Sequence, residues 1–157
     1  MASVAKIKVA TLKVGSLAFK HEDYIPEIYT CDGENINPPL SVQNIPEEAK
    51  SLVLMIEDPD TLFKINNHWT VWNIAVDGII KENSIPGIVG INSWGKTHYQ
   101  GPCPPIGTHR YIFKIYALDT MLKFDTGVNK ISVEKAMLGH IVGSGSLIGL
   151  YKKKELE

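Results

Sequence analysis

Two histidines, a tyrosine and a strand-ending carboxylate (His68, His109, Tyr111 and Asp58) are the residues of this chain most able to do chemistry together. A phosphate oxygen is satisfied by imidazole N–H and phenol O–H donors, and an imidazole beside a carboxylate is biased toward its charged form. The set therefore suits an anion. His109 and Tyr111 stand two apart in an alternating stretch and share one face if that stretch is a strand. They follow Gly101-Pro102-Cys103-Pro104-Pro105, whose prolines fix φ and lack N–H groups, so the loop has little freedom to lose. Taken singly, each residue has an ordinary role: a solvated Asp-Pro turn, a hydrogen-bonded histidine, a core tyrosine.

The elements that must place these residues read as strands. Leu52 to Ile56 is continuously apolar, as expected of a strand covered on both faces, and it stops at Glu57-Asp58-Pro59-Asp60. His68 to Val76 alternates, placing His68, Thr70, Trp72, Ile74 and Val76 on one face and Trp69, Val71, Asn73 and Ala75 on the other. From His109 the alternation assigns Tyr111, Phe113, Ile115 and Ala117 to the histidine face, and Arg110, Ile112, Lys114, Tyr116 and Leu118 to its reverse. Arg110 is a natural partner for Asp60, an ion pair that would tie the two site loops together. Period-two alternation from Lys6 to Val14 and in Leu40-Ser41-Val42 adds further strands, and Asp77-Gly78 marks a turn. One helix is expected, N-capped by Ser132, running through Ile141 and ended by Gly143-Ser144-Gly145, before a last strand over Ser146 to Tyr151. Short strands with one late helix predict an all-β fold, an antiparallel Greek-key β-sandwich of two sheets with one or two short helices near the C-terminus.

Several ordered motifs resemble the phosphatidylethanolamine-binding protein family, in its bacterial and archaeal Raf-kinase-inhibitor-like branch. They are Tyr29-Thr30-Cys31-Asp32-Gly33, Asn37-Pro38-Pro39-Leu40, Asp58-Pro59-Asp60, His68-Trp69, Gly95 to Tyr99, Gly101-Pro102-Cys103-Pro104-Pro105 and His109-Arg110-Tyr111. The resemblance extends to Gly139-His140 and Leu147 to Tyr151. It implies a ligand site of Asp58, His68, Gly101, Cys103, Pro104, His109 and Tyr111, with Asp60 and Arg110 structural, Asp58 at the pocket floor, and Pro104 and Pro105 as a wall. The implied ligands are phosphorylethanolamine-type headgroups and phosphorylated protein segments. Two departures stand out: Thr61-Leu62-Phe63 replaces the usual Ala-Pro after Asp60, and Cys103 replaces a glycine of other branches.

The functional expectation is a non-enzymatic binding protein for a small anion or phosphate headgroup, acting in signalling. The alternative is a kinase or serine protease inhibitor working through protein contacts, as some relatives imply. A hydrolase using Cys103, His109 or His68, and Asp58 is a third reading; the flanking prolines, which remove N–H groups from any oxyanion hole, speak against it. No cofactor or metal is expected, since no pair of histidines has a zinc-helix spacing. Gly143-Ser144-Gly145 with Gly149 follows a helix and precedes a strand, the reverse of a nucleotide loop.

The chain of 157 residues is 44% hydrophobic, enough for one domain over residues 1–154, with 155–157 a tail or an appended scar. Sixteen basic against 17 acidic residues exclude the positive field that non-specific nucleic-acid binding needs. Lys152-Lys153-Lys154 reads as a solvated tail. Lysines at positions 6, 8 and 13 interrupt any signal peptide, and the apolar runs are strand-sized, so a cytoplasmic protein without integral membrane association is expected. Prokaryotic relatives suggest a homodimer. The two cysteines, Cys31 and Cys103, read as reduced thiols, with a single bridge as the other option.

Overall fold

The structure, a computed structural model, describes residues 8–155. Its strands are β1 (Ala10–Thr11), β2 (Lys13–Gly15), β3 (Asp23–Tyr24), β4 (Leu40–Gln43), β5 (Ser51–Asp58), β6 (Asn66–Ile74), β7 (Ile79–Ile80), β8 (Ile88–Val89), β9 (Thr108–Leu118) and β10 (Ile141–Lys152), with one α-helix, α1 (Lys130–Met137). Seven strands form one sheet in the order β1-β10-β9-β5-β6-β8, with β3 also on β10, and the other three form a second sheet, β2-β4-β7. Strands β5, β6 and β8 pair antiparallel in succession and β9 returns to lie against β5, which is the Greek-key order. The sandwich is not wholly antiparallel, because the two-residue strands β1 and β3 run parallel to β10.

Strand β5 is buried along all eight residues because it has a core on each side. Leu54 and Ile56 join Phe113, Ile115, Val42 and Ile80 between the sheets. Val53 and Met55 meet Trp72, Leu118, Val133 and Met137 beneath α1. Phe113 and Ile115 have no exposed surface, and each such burial is worth about 1.5–3 kcal/mol. The expected division of β9 into faces holds, with His109, Tyr111, Phe113, Ile115 and Ala117 all buried.

Other expectations need correction. The N-terminal stretch, whose Lys6 and Ile7 lie outside the described residues, is not one strand: β1 joins the large sheet and β2 the small one, with Leu12 buried between them. The helix is capped by Asn129, whose side chain accepts from the Ser132 N–H, so Ser132 lies inside the first turn. It ends at Met137, four residues earlier than expected, and Gly139 just beyond it takes a φ of 80° that a side chain would resist. Gly143, Gly145 and Gly149 belong to β10, where Leu12 and Ile25 pack directly against them.

Strand β6 departs most from simple alternation. Between the pairs Leu52↔Ile74 and Leu54↔Val71, three steps on β6 match two on β5, and Asn73 has a φ of 55°. This bulge turns Ile74 to the inter-sheet side with Trp69 and Val71, leaving Trp72 under the helix.

Candidate functional site

A second bulge makes the site possible. Ile56 pairs with Trp69 but Glu57 with Asn67, so His68 is an extra residue in β6. Asn67 and Thr70 consequently lie on one side, where the Thr70 hydroxyl donates to Asn67 Oδ1 at 3.0 Å. His68 is separated from Thr70 and Trp72, the face that alternation gives it, and lies edge-on to Tyr111 with ring centres 5.2 Å apart.

Asp58 is the last residue of β5, one step beyond the Glu57↔Ile112 pair and therefore beside Tyr111. Its Oδ2 lies 2.7 Å from His109 Nδ1, and its Oδ1 accepts the Asp60 N–H at 2.8 Å. The Asp-Pro-Asp turn thus closes on its first carboxylate and sends the second outward. Asp60 takes Arg110 in a two-pronged pair, Nη2 to Oδ1 at 2.8 Å and Nε to Oδ2 at 3.0 Å, and also accepts the Arg110 backbone N–H. The expected ion pair is present and largely solvated. The guanidinium holds the Asp60 carboxyl below the usual carboxylate range. Exposed pairs contribute little stability, so Arg110→Met is expected to lower Tm by no more than a few degrees. Faster hydrogen exchange at Asp60 and Thr108 in that variant would show that the pair holds the loops; unchanged exchange would remove that role.

The third wall is the loop from Tyr99 to Pro105. Its Gln100 carbonyl accepts from His68 Nδ1 at 2.6 Å, and Tyr99 donates its hydroxyl to the Tyr29 carbonyl at 2.7 Å. Gly101 N–H donates to Asn35 Oδ1 at 2.8 Å. A Cβ on Gly101 would sit 2.2 Å from the Tyr29 carbonyl oxygen, so glycine is required by close approach. Here the reading of two reduced thiols fails: Cys31 and Cys103 form a disulfide, with Cα atoms 5.5 Å apart and 72 residues between them in sequence. Pro104 is buried, whereas Pro105 is exposed and is not a buried wall. No peptide bond among the described residues is cis.

The polar groups are deeply placed: Tyr111 is 0%, His68 2%, Asp58 3% and His109 8% exposed. Burial pushes the His68 imidazole below its ordinary value, outweighing its bond to the Gln100 carbonyl and the charge of Asp58. The carboxylate does favour the charged form of His68, as expected, but burial is the larger effect and the ring stays neutral. Burial and the Asp58 charge push the Tyr111 phenol up, so it stays protonated. Its buried hydroxyl lies near Asp58 and the Cys103 backbone but makes no hydrogen bond of good geometry with either, a state that an incoming acceptor would relieve. Since a carbonyl and a carboxylate only accept, Nδ1 of His68 and of His109 carries a proton, and the His68 ring, kept neutral by burial, has an acceptor at Nε2. Both oxygens of Asp58 are engaged, so its first task is to fix the His109 tautomer.

Neighbours not singled out in the sequence support the site. The Trp94 ring packs against His68 at 4.7 Å. Asn92 shapes that loop, its Oδ1 accepting from the N–H groups of Trp94 and Lys96 and its amide donating to the His98 carbonyl. Asn-Ser-Trp-Gly is a turn signal and was the available clue. Behind Asp58, Glu57 faces the opposite side and binds Lys114 at 2.8 Å and Lys130 at 2.5 Å, tying α1 to the sheet. Burial raises the Glu57 pKa, but the two ammonium groups outweigh it and the net shift is down. His21, His98 and His140 are exposed, and their rings bond to Glu22 and the Ile148 N–H, the Tyr99 carbonyl and Asp119 rather than to this group. No cluster that could hold a metal ion occurs among the described residues.

A Greek-key β-sandwich with a buried histidine, tyrosine and aspartate group at one end of its large sheet defines the class of the protein. Residues 15–152 match the family model for phosphatidylethanolamine-binding protein. A UPF0098 protein of Methanothermobacter thermautotrophicus is 46% identical over 144 residues, covering 87% of this chain and 95% of its own. A second, from Pyrococcus abyssi, is 44% identical over 91% of this chain and 86% of its own. The crystal structure of a phosphatidylethanolamine-binding protein homolog from Chlamydia trachomatis superposes with a TM-score of 0.88 at 40% identity, covering 92% of this chain and 99% of that one. That of E. coli YbcL, at 24% identity and a TM-score of 0.83, shares the fold. The chain belongs to the phosphatidylethanolamine-binding protein family.

Proposed function

We propose that the protein is a non-enzymatic binding protein whose pocket, formed by Asp58, His68, Gly101, Cys103, Pro104, His109 and Tyr111, takes a phosphate-bearing headgroup. The observation that carries this reading is the fully buried, unpartnered Tyr111 hydroxyl beside two imidazoles. Family membership supports it, and the hydrolase alternative is weakened because a disulfide-bonded Cys103 offers no thiolate.

With its Nδ1 committed to the Gln100 carbonyl and its ring held neutral by burial, His68 can meet an anion through Nε2 only if that nitrogen is protonated, so binding there takes up a proton. For His68 the free-state value lies below 6.5, and a bound anion raises it. Affinity is therefore greatest below the free-state value and falls as pH rises toward the bound-state value, by up to about tenfold per pH unit for one proton. Calorimetric titration with phosphorylethanolamine in buffers of differing ionisation enthalpy measures the uptake directly. Constant affinity from pH 5.5 to 8 with no proton uptake would defeat the mechanism. Loss of binding in His109→Ala, with wild-type shifts confined to His68, His109 and Gly101, would locate the site.

A further inference from the structure

A second cavity lies apart from the histidine group. It opens where residues 81–87 cross from β7, at the edge of the small sheet, to β8, at the edge of the large one. Its volume of about 380 Å³ is that of a small-molecule site, and none of Asp58, His68, His109 and Tyr111 lines it. Buried Trp69, Val89 and Tyr99 form the floor, and exposed Glu34, Asn83 and Thr97 form the rim. Its walls are fixed without a ligand. Asn37 joins two of them: its Oδ1 accepts the Ser84 N–H at 2.8 Å, its amide donates to the Lys81 carbonyl at 2.9 Å, and its own carbonyl accepts the Asn83 N–H at 3.0 Å. The third is pinned by the Tyr99 hydroxyl on the Tyr29 carbonyl. What the fold leaves unused here is polar. Trp69 is 2% exposed, yet its indole N–H has no hydrogen-bond partner. Asn35, which also lines the cavity, spends its Oδ1 on the Gly101 N–H and keeps its two amide donors free. The side chains of Glu34, Asn83 and Thr97 make no hydrogen bond or ion pair among the described residues.

We propose that this cavity is a second ligand site, for an uncharged polyhydroxylated molecule of monosaccharide size. Donors and acceptors alternate around one space above an apolar floor. A hydroxyl serves both, donating to the Glu34 carboxylate and accepting from the Trp69 or Asn35 N–H, and a sugar ring carries several hydroxyls beside an apolar face. No lysine or arginine lines the cavity and a carboxylate stands at its rim, so the site disfavours a phosphate, the reverse of the preference proposed for the histidine group. An acyl chain would leave the indole and amide donors without acceptors, at the cost of an unsatisfied buried group. Rigid walls suit a weakly held polar ligand, since little ordering is lost on binding. The inference stands independently of the headgroup reading.

The test titrates the full chain with glucose, N-acetylglucosamine and myo-inositol and follows the indole and side-chain amide N–H groups by nitrogen NMR. The expected result is a saturable shift of the Trp69 indole and the Asn35 amide with at least one of the three, while the Trp72 and Trp94 indoles stay in place. Trp69→Phe keeps the buried ring and removes the donor; Glu34→Ala removes an exposed acceptor and leaves the core untouched. Each should weaken binding roughly tenfold, read for Trp69→Phe on the Asn35 amide. The sugar affinity should persist in His109→Ala and in the presence of phosphorylethanolamine. No saturable shift with any of the three compounds, or equal affinity in wild type and Glu34→Ala, overturns the proposal. Displacement of the sugar by phosphorylethanolamine, or its loss in a folded His109→Ala, would place it in the histidine pocket and also overturn the second site.

Discussion

Replacement of Cys31 and Cys103 together by serine is expected to reduce the free energy of unfolding by about 4 kcal/mol, because the bridge closes a loop across 72 residues of sequence. The effect acts chiefly on the unfolded chain, which gains freedom when the crosslink is absent. A larger dependence on urea concentration should accompany the lower midpoint, as the uncrosslinked chain exposes more surface. Folded geometry should persist, because the same loop is held by the Gly101–Asn35, Tyr99–Tyr29 and Cys31–Pro102 hydrogen bonds. Phosphorylethanolamine affinity should accordingly change by less than stability does. Equilibrium unfolding of the double variant beside wild type with and without reductant checks this. An unchanged midpoint in both comparisons would mean that the bridge constrains nothing the unfolded chain would otherwise explore.

That bridge was beyond sequence reasoning for a physical reason: composition says nothing about whether two distant cysteines approach to bridging distance. What could be read were features written in uninterrupted local pattern. Strand β9 alternates without a break, so the common face of His109 and Tyr111 and the opposite face of Arg110 follow from a period of two. The doubly buried β5 follows from its continuous apolar run. Strand β6 defeats the same logic because each of its bulges resets the alternation, one bringing His68 to Tyr111 and the other turning Ile74 inward. The helix start was misplaced by three residues since Asn129 and Ser132 are both good caps, and only the fold decides which comes first. Family motifs named the members of the candidate site, but not their states. That His68 is neutral, that Tyr111 lacks a partner and that Asp58 has both oxygens occupied depend on depth and direction.

The state of Asp58 leads to the other large effect. Asp58→Ala is expected to destabilise the protein by about 3–5 kcal/mol, the usual consequence of removing one member of a buried, hydrogen-bonded pair. The Asp58 side chain is 4% and that of His109 10% exposed, so water has little access to the groups left behind. Those groups are the His109 Nδ1–H and the Asp60 N–H, both of which point at the missing carboxylate and would each carry the penalty of an unsatisfied donor. Asp58→Asn separates packing from charge. Its amide oxygen can serve one of the two donors and its shape fills the same space, so most of the lost stability should return. Binding should not return with it, because an imidazolium formed at His109 in the anion complex would no longer face a negative charge. Urea unfolding of the three proteins, with nitrogen NMR of the His109 ring to report its tautomer and phosphorylethanolamine titration at neutral pH, gives the comparison. If Asp58→Asn bound as well as wild type, the carboxylate would be a scaffold for the turn at Asp60, and His109 would need no counter-charge to accept a phosphate.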